Sequence, residues 1–348
     1  MKNYSSHLIS LNSTLKDGLI KINQIIDGIL CLFIINSENK LVGTLTDGDI
    51  RRALIKGSLL DEPIEVAMEK KFQSVCVDEV SPGKIKIFRS SGIKLLPCID
   101  DEGRIVKIYD LVAKESIIPI DAVIMAGGKG ERLMPLTKNT PKPLLKVGGK
   151  AIIDYNVDRL ILYGVENIHI TVNYMAEQIE AHFSQERDGV NISCIREEKY
   201  FGTMGSVKFI KNFHYDTVLV MNSDLFTNVD LEDFYSHHIE QSADISVAAI
   251  PYSVSVPYGI LDLDGKDIKG LLEKPTYNYY ANGGIYLVKR KLFDLIPADL
   301  FFDATDFIEL LIDKKYKVVR FPLIGYWIDI GKPEDYKKVQ EIAQHIKK

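Results

Sequence analysis

From about residue 121 onward, short apolar runs alternate with longer stretches in which apolar and polar residues are mixed. The runs at residues 123–125, 168–172 and 218–221 predict buried strands, and the segments at residues 154–163 and 175–183 predict helices. Alternating strands and helices favour a mainly parallel sheet with right-handed crossovers. Such sheets bind ligands at the carboxyl ends of their strands. We therefore predict an α/β fold for residues 121–348.

Residues 1–118 show a different pattern, which repeats approximately once. In each copy a helix-like segment precedes an apolar strand, a polar turn and a second apolar strand, which together predict a hairpin. An aspartate then follows as a candidate helix start. The helices are predicted at residues 15–27 and 81–91, the hairpins at residues 34–43 and 98–107, and the following helix starts at Asp49 and Asp110. We predict a separate α+β domain, joined to the next by a short docked segment.

Composition excludes several classes of protein. With 348 residues, 46% hydrophobic and 26% charged, the chain is expected to form two or three globular domains. A net charge of −5 gives no reason to expect a nucleic-acid partner. No apolar stretch approaches the ~20 residues of a membrane span, and the first residues lack a secretory apolar region. The four cysteines are scattered without a CxxC pair. A cytoplasmic location is expected.

The strongest chemical signal is the string MAGGKGERLMPLTKNTPKPLL at residues 125–145. Glycines that follow a predicted strand let backbone N–H groups approach a phosphate chain. A helix starting at about Glu131 would direct its positive end to the same place. Arg132 and Lys142 add positive charges. We predict a polyphosphate site.

Spacing separates this string from two common glycine motifs. A P-loop has Ser or Thr after its lysine, and none follows Lys129. A dinucleotide fingerprint has a third glycine where this chain has Leu133. The string instead resembles the signature of the sugar nucleotidyltransferases, or NDP-sugar pyrophosphorylases, and the resemblance extends to about residue 340. It implies a Rossmann-like domain in which a sugar-1-phosphate attacks the α-phosphorus of an NTP and pyrophosphate leaves.

Two aspartates are candidate metal ligands. Asp224 follows the apolar run at residues 218–221, and Asp329 lies in the string WIDIG. Both match positions where the family keeps metal ligands, and Mg²⁺ prefers one or two carboxylates completed by phosphate and water. For either aspartate alone, a helix cap is the simpler interpretation.

The resemblance also implies roles for other residues. Arg132 holds the β- and γ-phosphates, Lys142 the α-phosphate and Lys274 the sugar phosphate, and these three are the candidate catalytic residues. A solvated surface pair is the alternative for Glu273 and Lys274. The candidate nucleotide-binding residues are Ala126, Gly127, Gly128, Gly130, Glu197, Gly202 and Thr203. The candidate sugar-binding residues are Gly259, Glu273, Asn282 and Gly283.

Base preference is predicted from the segment EEKYFGT at residues 197–203, which matches the family loosely. A carboxylate accepts paired hydrogen bonds from guanine N1–H and N2–H, whereas uracil and thymine offer one N–H. If Glu197 or Glu198 meets the base, GTP is favoured over the pyrimidine nucleotides. The alternative is that both carboxylates are solvated.

The string GTLTDGDI at residues 43–50 resembles the strand-to-helix motif of cystathionine-β-synthase (CBS) domains. The resemblance implies a tandem CBS pair over residues 1–118, with Thr46, Asp47 and Asp49 contacting an adenine nucleotide effector. The alternative is that Asp49 caps a helix and the pair mediates assembly of a homo-oligomer. The second copy lacks the Thr-x-x-Asp spacing, which puts a second nucleotide site in doubt.

The fusion resembles guanylyltransferases that activate glucosamine-1-phosphate for legionaminic acid synthesis. Mannose- and heptose-1-phosphate guanylyltransferases, and homologues using pyrimidine nucleotides, remain alternatives. A hypothesis of another class is a nucleotide-sensing CBS protein with a relic catalytic domain. Calorimetry separates the two, because a sensor binds an adenine nucleotide and never consumes GTP.

Overall fold

The computed structural model describes residues 4–26, 28–185, 187 and 189–346. The chain divides into two compact units, one formed by Met1–Pro119 with Ile161–Gly164, the other by Ile120–Leu160 with Val165–Lys348. Asp27, the last residue of the helix predicted at residues 15–27, lies outside the described residues.

The first unit contains one arrangement of strands twice. Its elements are β1 (Leu8–Ser10), α1 (Leu15–Asn23), β2 (Cys31–Ile35), β3 (Leu41–Thr46), α2 (Asp47–Ile55), β4 (Val75–Cys76), α3 (Pro82–Ser90), β5 (Leu95–Ile99) and β6 (Ile105–Asp110). β1 pairs parallel with β2, and β2 pairs antiparallel with β3. β4, β5 and β6 pair in the same order and directions. The predicted internal repeat and both hairpins are confirmed.

The two copies differ after their last strand. α2 starts directly after β3, with Thr46 as its N-cap in a capping box with Asp49. After β6 the chain instead turns, and Asp110 Oδ1 accepts the N–H groups of Val112 (3.0 Å) and Ala113 (2.9 Å). The helix predicted to start at Asp110 is therefore wrong. Its carboxylate closes a turn, because the second copy lacks the Thr-x-x-Asp pair that caps α2.

Within the described residues, the remaining elements build a larger sheet and three two-stranded ones. They are β7 (Asp121–Met125), β8 (Lys146–Val147), β9 (Lys150–Ala151), α4 (Ile152–Leu162), β10 (Asn167–Val172), α5 (Ala176–His182), β11 (Asn191–Arg196), α6 (Gly202–Gly205), β12 (Thr217–Asn222), β13 (Leu225–Thr227), α7 (Leu231–Glu240), β14 (Ile245–Ser255), β15 (Ile260–Asp264), β16 (Asp267–Leu272), β17 (Thr276–Lys289), α8 (Ala304–Asp313), β18 (Val318–Pro322), β19 (Trp327–Asp329) and α9 (Pro333–Ile346).

The larger sheet has the order β11-β10-β7-β12-β17-β14-β18. β11, β10, β7 and β12 are all parallel, β17 runs antiparallel to both of its neighbours, and β14 is parallel to β18. The predicted Rossmann-like, mainly parallel α/β sheet is confirmed. Its four parallel strands place their carboxyl ends along one edge, where a ligand site is expected.

Two apolar clusters support that edge. One lies around the sheet and includes Val123, Val220 and Phe307. The other lies beneath the small antiparallel pair of β13 and β19 and includes Phe226 and Ile328. Burial of these side chains holds β13 and β19 together although they are far apart in the sequence.

The helix predicted to start at about Glu131 is wrong. The structure has a single 3₁₀ turn, Glu131–Leu133. The chain cannot continue as a helix, because Pro135 follows at once and lacks the N–H group that a helix needs. Thr137 Oγ1 also donates to the carbonyl of Gly130 (3.0 Å) and folds the segment back. The predicted phosphate site therefore offers loop N–H groups and side-chain cations, without a helix end.

Within the described residues, no helix combines the length and apolar character that crossing a membrane requires.

Candidate active site

A pocket of 670 Å³ opens at the carboxyl ends of the parallel strands. Each strand is followed by a segment that lines it: Gly127 after β7, Asn173 after β10, Glu197 after β11 and Asp224 after β12. The arrangement follows from the sheet, because parallel strands deliver successive loops to the same edge. The predicted phosphate loop and the predicted metal ligand Asp224 therefore share one cavity.

The glycine loop packs against Lys142. Gly130 has φ of 64°, and a Cβ at this position would lie 2.9 Å from Lys142 Cβ and 3.1 Å from Thr137 Cγ2. Gly128, by contrast, is exposed, and a Cβ there would meet nothing within 4 Å. Ala126 is buried, and its N–H donates to the carbonyl of Thr171 (2.9 Å). Gly130 is therefore the glycine on which the position of Lys142 depends.

Replacing Gly130 with alanine is expected to lower the unfolding free energy by about 1–3 kcal/mol, because the new Cβ adds a clash to a left-handed backbone. It should also raise KM for the nucleotide by displacing Lys142. Gly83→Ala in α3 is the control, because a Cβ there would also meet nothing within 4 Å, and both quantities should stay close to wild type. Thermal melts and steady-state kinetics measure the difference. Equal behaviour of the two variants would refute the contact between Gly130 and Lys142.

Lys142 and Asp224 line the pocket, and Asp329 lies beside them without being part of the lining. Leu225 pairs with Asp329 in the ladder between β13 and β19, and the N–H of Ile330 donates to the carbonyl of Asp224 (3.1 Å). Lys142, only 9% exposed, forms an ion pair with Asp224, and its Nζ lies 3.8 Å from Asp329 Oδ1. Burial raises the pKa of Asp329, the charge of Asp224 raises it further, and Lys142 opposes both.

These residues fit a divalent cation. Oδ1 of Asp224 and Oδ1 of Asp329 are both buried without a hydrogen-bond partner in the described part of the chain. Neighbouring carboxylate oxygens of this kind are suitable ligands for Mg²⁺. Over the same residues no cluster of three or more His, Cys, Asp or Glu suited to a metal occurs. A cation at this pair would therefore complete its shell with phosphate and water.

Two further cations border the pocket. Arg132 and Lys129 both line it and are exposed. A Cβ at Gly331 would lie 3.4 Å from Arg132 Nη2, so the guanidinium packs over this glycine, two residues after Asp329. The positive charge of Arg132 also acts to lower the pKa of Asp329. Arg132 is thus placed next to the acidic pair.

Glu197 is 4% exposed, whereas Glu198 is exposed, so the two consecutive acids differ. Glu197 Oε2 accepts the N–H of Phe201 (3.1 Å), and Oε1 would lie 3.0 Å from a Cβ on Gly127. Burial raises the pKa of Glu197. The carboxylate of Glu197 thus lies against the glycine loop, inside the pocket.

Gly202 and Thr203 line the pocket, and both also make contacts that stabilise the fold. Gly202 has φ of 81°, and a Cβ there would lie 2.7 Å from the carbonyl oxygen of Phe302. Thr203 Oγ1 donates to Asp303 Oδ1 (3.1 Å) and accepts the N–H of Ala304 (2.8 Å) at the start of α8. Close packing at the start of α8 is therefore enough to explain why position 202 is glycine and position 203 is threonine.

The predicted sugar-site residues are not part of the lining of this pocket, and their roles stay predictions. Among the described residues, those that line the pocket do not include Gly259, Glu273, Lys274, Asn282 or Gly283. The side chains of Glu273 and Lys274 are both 68% exposed, and their charged groups are 4.0 Å apart. Lys274 has φ of 44°, a left-handed backbone that is uncommon outside glycine. Asn282 Nδ2 donates to Tyr286 Oη (2.9 Å).

In the first unit, Thr46 Oγ1 donates to Asp49 Oδ2 (2.6 Å), and both residues serve the cap of α2. Asp47 forms an ion pair with Arg51 (2.9 Å) and lines a separate cavity of 530 Å³. The capping role considered for Asp49 is thus present, and Asp47 is the member of the motif that borders a cavity. Their contact with a nucleotide stays a prediction.

Several residues that border the pocket lie outside the predicted set, among them Lys129, Asn173, Tyr200 and Asn222. Asn173 and Asn222 could have been found by the rule that identified Asp224, because each ends or follows an apolar strand. Tyr200 gives no comparable signal, since its position depends on how the segment after β11 folds.

The family model for nucleotidyl transferase matches residues 121–345, and that for the CBS domain matches residues 6–56. The first match covers more than half of the chain, which therefore belongs to the nucleotidyl transferase family. The CBS match covers the first of the two structural repeats.

The names of several proteins similar to this chain describe enzymes that act on sugar phosphates. The D-glycero-alpha-D-manno-heptose 1-phosphate guanylyltransferase of Aneurinibacillus thermoaerophilus is 30% identical over 231 residues, 65% of this chain and 99% of that protein. The mannose-1-phosphate guanylyltransferase of Mycobacterium tuberculosis is 30% identical over 226 residues, 62% of each chain. This chain thus spans less than two thirds of the length of some curated relatives.

A solved structure shares the fold. HddC from Yersinia pseudotuberculosis aligns with a TM-score of 0.50 and 27% identity, over 64% of this chain and 99% of that one.

Proposed function

We propose that this chain is a sugar-1-phosphate guanylyltransferase, which transfers GMP from GTP to glucosamine-1-phosphate and releases pyrophosphate. The observation that carries the proposal is the placement of Lys142 against Asp224 and Asp329, beside a glycine loop in a 670 Å³ pocket. Cationic and acidic groups beside a glycine loop are suited to catalyse nucleotidyl transfer between two anionic substrates.

The reaction needs no protein nucleophile. A phosphate oxygen of the sugar-1-phosphate attacks the α-phosphorus of GTP, the bond from that phosphorus to the β-phosphate bridging oxygen breaks, and pyrophosphate leaves with the electron pair. The protein contributes by aligning the two substrates and by neutralising the charge that repels them.

The chain supplies this neutralisation from several directions. Lys142 is held between Pro141 and Pro143, which limits the entropy lost when it binds the α-phosphate. Arg132 offers a planar fork to the β- and γ-phosphates. Asp224 and Asp329 would hold Mg²⁺, which supplies Lewis-acid stabilisation of phosphate oxygens. The backbone N–H groups of the glycine loop can donate hydrogen bonds to the β- and γ-phosphates.

Guanine preference rests on Glu197 and on the relatives. Glu197 lines the pocket beside the glycine loop. A carboxylate that meets the base edge there would accept both N–H groups of guanine. Both relatives described above are guanylyltransferases by name. The preference for glucosamine-1-phosphate rests on the CBS fusion, which resembles the enzymes of legionaminic acid synthesis. Lys274 and Glu273 are proposed to contact this sugar phosphate.

A substrate panel tests the proposal. Four NTPs are combined with glucosamine-, mannose- and heptose-1-phosphate in the presence of Mg²⁺, and pyrophosphate release is measured. The fastest release is expected with GTP and glucosamine-1-phosphate. Release with GTP and a different sugar-1-phosphate would support the guanylyltransferase activity but reject glucosamine-1-phosphate as the substrate. No release in any combination would reject the activity.

Exchange of one carboxylate for an amide tests the base contact. Glu197→Gln is expected to lower the preference for GTP over UTP by about 10-fold or more, because an amide cannot accept both guanine N–H groups, and a lost hydrogen bond to a charged group is worth about 1.5–3 kcal/mol. Glu198→Gln is the matched control, since Glu198 is exposed. The ratio of kcat/KM values reports the result, and an unchanged ratio in Glu197→Gln would remove this residue from base recognition.

Regulation by the CBS unit is a further part of the proposal. Asp47 borders a 530 Å³ cavity in the first unit, and a carboxylate there can accept hydrogen bonds from ribose hydroxyls. We expect AMP or ATP to bind at this position and to alter turnover through coupling between the units. Titration calorimetry of wild type and Asp47→Asn measures the binding. Equal affinity in both proteins would exclude Asp47 from the effector site.

A further inference from the structure

Three neighbouring strands of the larger sheet end in residues that contact one another. Val172 of β10 is in register with Arg196 of β11, so the next residues, Asn173 and Glu197, lie side by side. Gly127 follows β7, the strand on the other side of β10. A Cβ on Gly127 would lie 3.0 Å from Glu197 Oε1 and 3.4 Å from Asn173 Cβ. The three residues therefore form one corner of the pocket, which all of them line.

Hydrogen bonds fix the orientation of the Asn173 carboxamide. The N–H of Glu197 donates to the carbonyl of Val172 (2.9 Å), and Asn173 Nδ2 donates to the carbonyl of Glu197 (3.2 Å). A carbonyl oxygen accepts hydrogen bonds and cannot donate them, so the amide nitrogen must face Glu197. Oδ1 is then the free end of the carboxamide, and it has no hydrogen-bond partner in the part of the chain that the structure describes. Asn173 thus brings an open acceptor to the pocket wall.

Glu197 supplies the neighbouring acceptors. Its Oε2 accepts the N–H of Phe201 (3.1 Å), and its Oε1 lies against Gly127. Burial raises the pKa of Glu197, whereas the Phe201 N–H and the Ser206 hydroxyl act to lower it. Both neighbouring groups therefore favour the ionised carboxylate, which accepts hydrogen bonds and donates none.

The edge of guanine carries hydrogen-bond donors in an unbroken row. N1–H comes first, and the two hydrogens of the 2-amino group follow it. A carboxylate in the plane of the base accepts N1–H and the first amino hydrogen, which leaves the second amino hydrogen without a partner. A donor that stays unpaired in a dehydrated pocket weakens binding by about 10-fold or more. Full recognition of guanine therefore needs a further acceptor beside the carboxylate.

Other bases do not match such a row of acceptors. Adenine and cytosine place an acceptor nitrogen next to their amino group, and uracil and thymine carry one N–H between two carbonyl oxygens. Hypoxanthine keeps N1–H but lacks the 2-amino group. With each of these bases, at least one acceptor of Glu197 or Asn173 would be left unpaired or would face another acceptor. The two side chains together are thus complementary to guanine.

We propose that Asn173 determines base specificity, with its Oδ1 accepting the second hydrogen of the guanine 2-amino group while Glu197 accepts the first one and N1–H. This inference rests on the proposed function, in which GTP is the nucleotide substrate. It gives Asn173 a part in the choice of base and none in the reaction at the α-phosphorus. If Asn173 only positions Glu197 through the bond to its carbonyl, the inference is wrong.

Comparison of GTP with ITP isolates the 2-amino group, because the two nucleotides differ only there. Wild type is expected to prefer GTP in kcat/KM by about 10-fold or more, and Asn173→Ala should lower that preference by about 3- to 10-fold. Asn191→Ala is the control, since Asn191 is exposed at the opposite end of β11, and its preference should equal that of wild type. Equal use of GTP and ITP by wild type would overturn the proposal, whether or not any variant folds.

The same ratio in a Glu197→Gln background separates direct recognition from positioning. If Asn173 contacts the amino group itself, adding Asn173→Ala to Glu197→Gln should again lower the preference for GTP over ITP by about 3-fold or more. If Asn173 acts only by holding Glu197, the second substitution should leave the ratio unchanged. An unchanged ratio would therefore overturn the proposal.

Calorimetry of GTP and ITP binding, with Mg²⁺ and without a sugar phosphate, distinguishes failure of this inference from failure of the proposed function. Binding that favours GTP, and loses that preference in Asn173→Ala, supports the base contact even if no nucleotide sugar is formed, in which case the proposed function alone is rejected. Turnover of GTP with a preference over ITP that is unaffected by Asn173→Ala would keep the proposed function and overturn the role of Asn173.

Discussion

Asp224→Asn is expected to reduce kcat by about 10³-fold or more while the protein stays folded. The amide has nearly the shape of the carboxylate but removes the charge that pairs with Lys142 and that would bind Mg²⁺. Loss of one preorganised electrostatic contact at a reacting phosphate or carbonyl group typically lowers kcat by about 10²–10³-fold. Loss of an entire metal ligand should exceed that range.

Stability measurements show whether the activity of Asp224→Asn is lost through the reaction step or through unfolding. Lys142 keeps Asp329 as a neighbour at 3.8 Å in the variant, so the unfolding free energy should fall by no more than about 3 kcal/mol. Asp230→Asn is the matched control. Asp230 caps α7, and asparagine caps a helix as well as aspartate does, so turnover and melting should both match wild type. Normal turnover in Asp224→Asn would remove the metal assignment.

Lys142→Met is expected to have the second largest effect, with kcat lowered by about 10²–10³-fold, because the cation nearest the reacting phosphate is lost. A second result follows from the ion pairs. Without Lys142, the two carboxylates lose the cation that lies beside both of them, and Arg132 remains near Asp329. The variant should therefore melt at a lower temperature than wild type when no divalent cation is present. Added Mg²⁺ should therefore raise its melting temperature by more than it raises that of wild type.

The control for this experiment is Lys146→Met. Lys146 is exposed and lies four residues after Lys142, so the Lys146→Met variant should respond to Mg²⁺ as wild type does. An identical Mg²⁺ response in Lys142→Met and Lys146→Met would show that Lys142 and the cation do not share the two aspartates.

Features with a local cause could be predicted from the sequence. The internal repeat follows from two similar hairpin patterns, and the parallel strands follow from buried apolar runs separated by helices. Asp224 could be placed at a strand end for the same reason. The helix at Glu131 could not be rejected so easily, because its absence depends on Pro135 and on the hydrogen bond from Thr137 to Gly130.

Features that depend on distant pairing could not be predicted from the pattern alone. Asp224 and Asp329 meet because β13 pairs with β19, and nothing near either residue specifies that ladder. The burial of Glu197 next to the exposed Glu198 depends on its close approach to Gly127, which is far away in the sequence.

The most direct test of the central claim is to follow GTP labelled at the α-phosphorus during the reaction with glucosamine-1-phosphate and Mg²⁺. If the pocket brings the sugar phosphate to the α-phosphorus, the label is found in a GDP-sugar, in amounts equal to the pyrophosphate released, and Asp224→Asn forms neither product. Label recovered only as GMP or GDP, or left in unreacted GTP, would contradict the account.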